Sequence, residues 1–140
     1  MLLRFFIVSS FLFIATGCSQ KQLVSSRSAT IVFKTPSLKF YDQGFIERYE
    51  DSVRLTILNL GVVIADMTIY KDKVCKNFVL CYDGDVFNDN FLNKSYAKDF
   101  LYTLFTQDDI SFKDPENGIL IKVIYDKEET SENSENNKTQ

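Results

Sequence analysis

Three cysteines, Cys18, Cys75 and Cys81, and a scatter of carboxylates carry whatever covalent, metal or acid–base chemistry this 140-residue chain can do, because it contains no histidine. Without an imidazole there is no Ser-His-Asp or Cys-His arrangement and no His-ligated metal site. Cys75 and Cys81 are separated by five residues (CKNFVLC) and fall across an expected hairpin. A disulfide there would close a small ring and stabilise the fold by about 2 kcal/mol. Two thiols without a second pair cannot make a four-ligand zinc site, and the C-x-x-C spacing of a redox pair is missing. The acidic cluster Asp83, Asp85 and Asp89 suggests calcium, yet the twelfth residue counted from Asp83 is Lys94 and not the bidentate Glu that an EF-hand loop requires. Asp85 is better read as a helix cap. Glu47, Glu50 and Asp51 could be posed as an acid and base, but Arg48 and Arg54 beside them argue for solvated surface charge. The five glycines form no phosphate loop. No catalytic residue, metal ligand or cofactor is therefore expected. A formal net charge of −3 without a run of Lys and Arg argues against a nucleic-acid partner.

The third cysteine closes a leader-like segment. Residues 1–17 hold one positive charge, Arg4, no acidic residue, and an apolar run from Phe5 to Ala15 interrupted only by Ser9 and Ser10. That is the pattern of a secretory signal, too short for a comfortable bilayer span. It ends in Ala15-Thr16-Gly17-Cys18, which resembles the lipobox of bacterial lipoproteins. The resemblance implies cleavage before Cys18 and covalent diacylglycerol and N-acyl chains on it, which makes the membrane a partner through a firm anchor. An ordinary secretory signal cleaved near Gly17 would instead leave Cys18 a free thiol. Ser19, in place of an Asp that would signal inner-membrane retention, points by the same family rule to the periplasmic face of the outer membrane.

These residues need elements to hold them. Residues 18–28 (CSQKQLVSSRS) read as a lipidated polar tether, 29–126 as a single folded domain, and 127–140, which lack any apolar residue, as a disordered acidic tail. Within the domain, Ile31 and Phe33 alternate as a strand, and Leu38–Tyr41 and Phe45–Tyr49 suggest a pair around Asp42-Gln43-Gly44. Val53, Leu55 and Ile57 mark one face of a strand that turns at Asn59-Leu60-Gly61 and returns through Ala65, Met67 and Ile69. Val74–Tyr82 makes a further hairpin. A short helix is expected from Asp85, and a second, capped by Ser95, carries Tyr96, Ala97, Phe100, Leu101, Leu104 and Phe105 on one face. Strands Ile110–Lys113 and Ile119–Tyr125 follow. The expected fold is α+β: a curved antiparallel sheet, an incomplete barrel-like meander, with two short helices packed on one side.

The stretch Ser52–Cys75 (SVRLTILNLGVVIADMTIYKDKVC) followed by Asn77–Phe105 is similar to the LolA and LolB group of lipoprotein carriers and outer-membrane receptors. In that group an incomplete barrel lidded by helices holds acyl chains, and an exposed leucine in a strand-ending Leu-Gly turn assists delivery into the membrane. The resemblance implies that role for Leu60. It also implies a non-enzymatic receptor binding acyl chains or other lipoproteins. This chain differs in having only residues 110–125 as strand beyond its helices, where the receptors continue further. Core packing explains the same apolar meander, and an aromatic stripe such as that between Tyr96 and Phe105 is more often core than ligand wall. The alternative is a structural or assembly lipoprotein that docks an envelope protein complex, with a solid core and an exposed apolar patch or open strand edge.

Overall fold

A computed structural model describes residues 20–127. The expected signal peptide, Cys18 and the tail from residue 128 onward lie outside the described residues. The chain forms β1 (Leu23–Lys34), β2 (Lys39–Tyr49), β3 (Ser52–Asn59), β4 (Val62–Tyr70), β5 (Lys73–Lys76), β6 (Leu80–Asp83), α1 (Gly84–Phe91), α2 (Phe100–Phe105), β7 (Ser111–Asp114) and β8 (Ile119–Tyr125). The eight strands make one sheet in the order β6-β5-β4-β3-β2-β1-β8-β7, and every pairing is antiparallel. It is an α+β domain built on an open, curved, incomplete barrel. The first six strands are a meander. The chain then crosses the sheet through α1 and α2, and β8 returns to the free side of β1.

Alternation decides which face each strand buries. Ala29, Ile31 and Phe33 of β1, Val53, Leu55 and Ile57 of β3, Met67 and Ile69 of β4, and Ile119, Ile121 and Val123 of β8 all point to the inner face. The helices close that face: α1 lies against β5 and β6, and α2 against β3 and β4. Phe87 from α1 and Leu101, Leu104 and Phe105 from α2 complete the core.

Three boundaries differ from the sequence reading. The tether expected over residues 18–28 gives way at Leu23, where β1 begins. Leu23–Ser28 hydrogen-bond along β2, from Leu23 opposite Tyr49 to Ser28 opposite Phe45. A backbone ladder orders this Ser-rich stretch without any apolar period. Ahead of it, Lys21 donates to the Tyr70 hydroxyl at 2.8 Å and pairs with Asp51 at 3.3 Å. Second, Asp42-Gln43-Gly44 is no turn, since β2 runs straight through it. Gly44 is there for contact: a Cβ would lie 2.1 Å from the Thr56 carbonyl oxygen and 2.6 Å from Ile31 Cδ1. Third, α2 starts at Phe100 rather than behind a Ser95 cap. The Asn93 side-chain oxygen accepts from the Ser95 amide and hydroxyl at 2.8 and 2.6 Å, which bends the chain into a turn where the helix was expected to begin.

Candidate functional site

The β3–β4 hairpin closes through a two-residue loop, Leu60-Gly61, with φ of 49° and 79°. Both residues are left-handed, as the tight turns matched to sheet twist require, and Gly61 suits that conformation. Leu60 does not: a left-handed β-carbon costs about 1 kcal/mol or more. Its side chain is 99% exposed, so burial does not offset the cost. The register shifts between Ile57 and Leu58, leaving Ile64 without a direct partner, and Val62, Val63 and Ile64 are all exposed beside the tip. The structure therefore places Leu60 at the head of an exposed run of four apolar side chains interrupted only by Gly61.

Cys75 and Cys81 are directly opposed in the β5–β6 hairpin and joined by a disulfide. The loop beyond them again uses left-handed residues, Asn77 and Phe78, at φ of 50° and 62°. This tip is fastened down. The Asn77 amide donates to the Asp66 carbonyl at 2.9 Å, and the Phe78 ring lies 4.5 Å from the Arg54 guanidinium.

Beneath Phe78 is a pair that spacing alone does not reveal. Arg54 donates through Nε and Nη2 to Asp66 Oδ2 at 3.0 and 2.7 Å, and Thr56 lies 3.4 Å from the same oxygen. Asp66 is buried, and its Oδ1 has no partner among the described residues. The hydrogen bond to Asp66 raises the Arg54 pKa above its ordinary value. Glu47 faces Arg54 at 3.5 Å. Asp51 accepts from Ser52 at 2.9 Å and faces Lys21, and the Ser52 bond is the first cause of its lowered pKa. Glu47 and Asp51 are thus each held by a different cation.

Of the Asp83, Asp85 and Asp89 cluster, Asp83 occupies the N-cap position of α1 and makes no side-chain capping bond, while Asp85, the expected cap, sits inside the first turn. Among the described residues no three acidic or cysteine side chains group closely enough to hold a metal ion. A second unforeseen network ties the connection between the helices to the β7–β8 turn. The Tyr96 hydroxyl and the Asn117 amide donate to Asp114, and Asn93 donates to Asn117. Burial and the Asp114 carboxylate push the Tyr96 pKa up, and the Tyr96 bond holds Asp114 below its ordinary value.

The space between helices and sheet is occupied by side chains. Phe33, Phe87 and Phe105 are fully buried there. The concavities are surface clefts. One, of about 310 Å³, lies between α2 and β7 and is lined by Phe100, Leu104, Phe112 and neighbouring polar groups. No helix among the described residues is long and apolar enough to cross a membrane. No protein-family model, curated protein or solved structure matches the chain.

Proposed function

We propose that this chain is a non-enzymatic lipoprotein, anchored through acyl chains on Cys18 at the periplasmic face of the outer membrane. In this reading it handles acyl chains or other lipoproteins in a LolB-like manner, with Leu60 as the residue that meets lipid. The observation that carries it is the hairpin tip: a fully exposed leucine in a backbone conformation that disfavours it, followed by Val62, Val63 and Ile64. The packed interior supports acyl contact at the tip and not in an internal cavity. In the test, Leu60→Glu in the full chain is expected to block transfer of lipoproteins into the outer membrane while leaving its own attachment intact. Unchanged sorting would sink the role of Leu60. Release of a Cys18→Ser chain from the membrane fraction, with loss of palmitate labelling, tests the anchor separately.

A second reading is favoured by a different observation. The solid core and the two open strand edges, β6 and β7, suit an assembly lipoprotein that docks an envelope protein complex. Crosslinking separates the two, because a carrier traps many lipoproteins and a scaffold one stable neighbour.

A further inference from the structure

The outer face of the sheet collects lysines that are far apart in sequence. In one cross-strand row, Lys113 lies opposite Leu120, Leu120 opposite Lys34, and Lys34 opposite Lys39, spanning β7, β8, β1 and β2. In the next row Ser111, Lys122, Val32 and Tyr41 follow one another across the same four strands. All four lysines are exposed. They lie on the face opposite the core, since they alternate with or pair beside residues whose neighbours Phe33, Ile119, Ile121 and Val123 are buried. Among the described residues none of the four has a carboxylate within ion-pair distance. The outer-face carboxylates of β2 and β4, Glu47 and Asp66, are both taken by Arg54, and Asp83 stands on β6 at the far edge of the sheet. Like charges directly opposite one another on adjacent strands, as Lys34 and Lys39 are, work against the sheet. An acidic protein nevertheless leaves this corner uncompensated.

Apolar side chains rim the lysines. Tyr41 is exposed beside them, Ile124 stands on the same face of β8, and a third row runs Ile124, Thr30, Gln43, Leu58, Val63 towards the Leu60 hairpin. Compact ammonium charges among exposed aromatic and aliphatic groups match an anionic lipid surface, with phosphates against the lysines and Tyr41 and Ile124 at headgroup depth. Geometry agrees. Leu23 begins β1 at the sheet end opposite Leu60, and β3 between those ends is eight residues, roughly 26 Å long. Only residues 19–22 separate Cys18 from β1, a reach of about 17 Å from Cys18 to Leu23 at full extension. An anchor and a tip at opposite ends can share one bilayer only if the strands lie along it.

We infer that the outer face of the sheet, through Lys34, Lys39, Lys113 and Lys122, lies flat on an anionic bilayer. This rests on the reading that the domain works at a membrane. The test uses the full chain reconstituted into phosphatidylethanolamine vesicles with or without phosphatidylglycerol, an amine-acylating reagent outside, and mass spectrometry to read each lysine. On anionic vesicles, labelling of the four lysines is expected to fall by roughly fivefold or more, the factor that one lysine contributes near an anionic surface. Lys94 and Lys98, in the connection between the helices, should label equally on both, and high salt should restore the four. A Lys34→Glu/Lys122→Glu chain should float with the vesicles yet lose the protection of Lys39 and Lys113. Equal labelling on both vesicle types in a chain that floats would overturn this inference and leave the anchor standing. Protection by poly-glutamate and not by vesicles would overturn it in favour of an acidic protein partner. A chain that fails to float overturns both readings.

Discussion

The β3–β4 and β5–β6 hairpins solve the same problem in opposite ways. Each turns through left-handed residues and carries a large apolar side chain at such a position, Leu60 in one and Phe78 in the other. In β5–β6 the cost is offset locally by the Cys75–Cys81 disulfide, the Asn77 amide on the Asp66 carbonyl and the Phe78 ring against Arg54. In β3–β4 the tip reaches into solvent with Leu60 almost wholly exposed. Stability explains the first tip and fails to explain the second. A residue that the fold itself does not favour is where a function for the hairpin is most economically placed.

The largest effect should come from the platform under the fastened tip. Arg54→Met strips the buried Asp66 carboxylate of its cation and should destabilise the domain by about 3 kcal/mol at neutral pH, read from urea denaturation. The Arg54→Met/Asp66→Leu double variant should recover most of that loss, because replacing both members of a buried pair is far milder than orphaning one. If the double variant is no better than the single, the pair is not what supports the β5–β6 tip. Next in size, Cys75→Ala/Cys81→Ala should cost about 2 kcal/mol by the same measurement, the loop entropy of a small ring. It should leave every property of the Leu60 tip unchanged.

How much of this was open to a sequence reader depends on the range over which each feature is specified. The alternation in β3, β4 and β8 is local, so those strands and the Leu60 turn could be read from side-chain period alone. The Cys75–Cys81 pair was equally accessible, because five intervening residues set a hairpin geometry by themselves. The first half of β1 was hidden, since Ser25, Ser26 and Ser28 carry no pattern and are ordered by pairing with β2, with the Ser28 carbonyl also accepting from the Asp126 amide. Gly44 misled because a glycine needed for contact with Thr56 and Ile31 looks like one needed for a turn. Arg54 and Asp66 sit 12 residues apart on adjacent strands. Only the register of β3 on β4, bulge included, brings them together. The lysine rows depend still more on long-range pairing, because Lys34 and Lys122 become neighbours only when β8 returns to β1.

The smallest effects sharpen the hairpin comparison most. Leu60→Asn places Asn-Gly in the two-residue loop, the pairing best suited to two left-handed positions. It should stabilise the domain by about 1 kcal/mol, a rise in Tm of roughly 4–8 °C for a domain of this size, while impairing lipoprotein transfer. Phe78→Asn relieves the same backbone cost, but it also removes the ring from Arg54, an interaction of about 0.5–1 kcal/mol at a partly exposed site. The two terms nearly cancel, so its Tm should shift by no more than about 4 °C, half of that upper range or less. A Leu60→Asn variant no more stable than Phe78→Asn would mean that the two tips are held alike, and would remove the reason for assigning function to one of them. A stabilised Leu60→Asn chain with lost transfer would show stability being given up at that turn for contact with lipid.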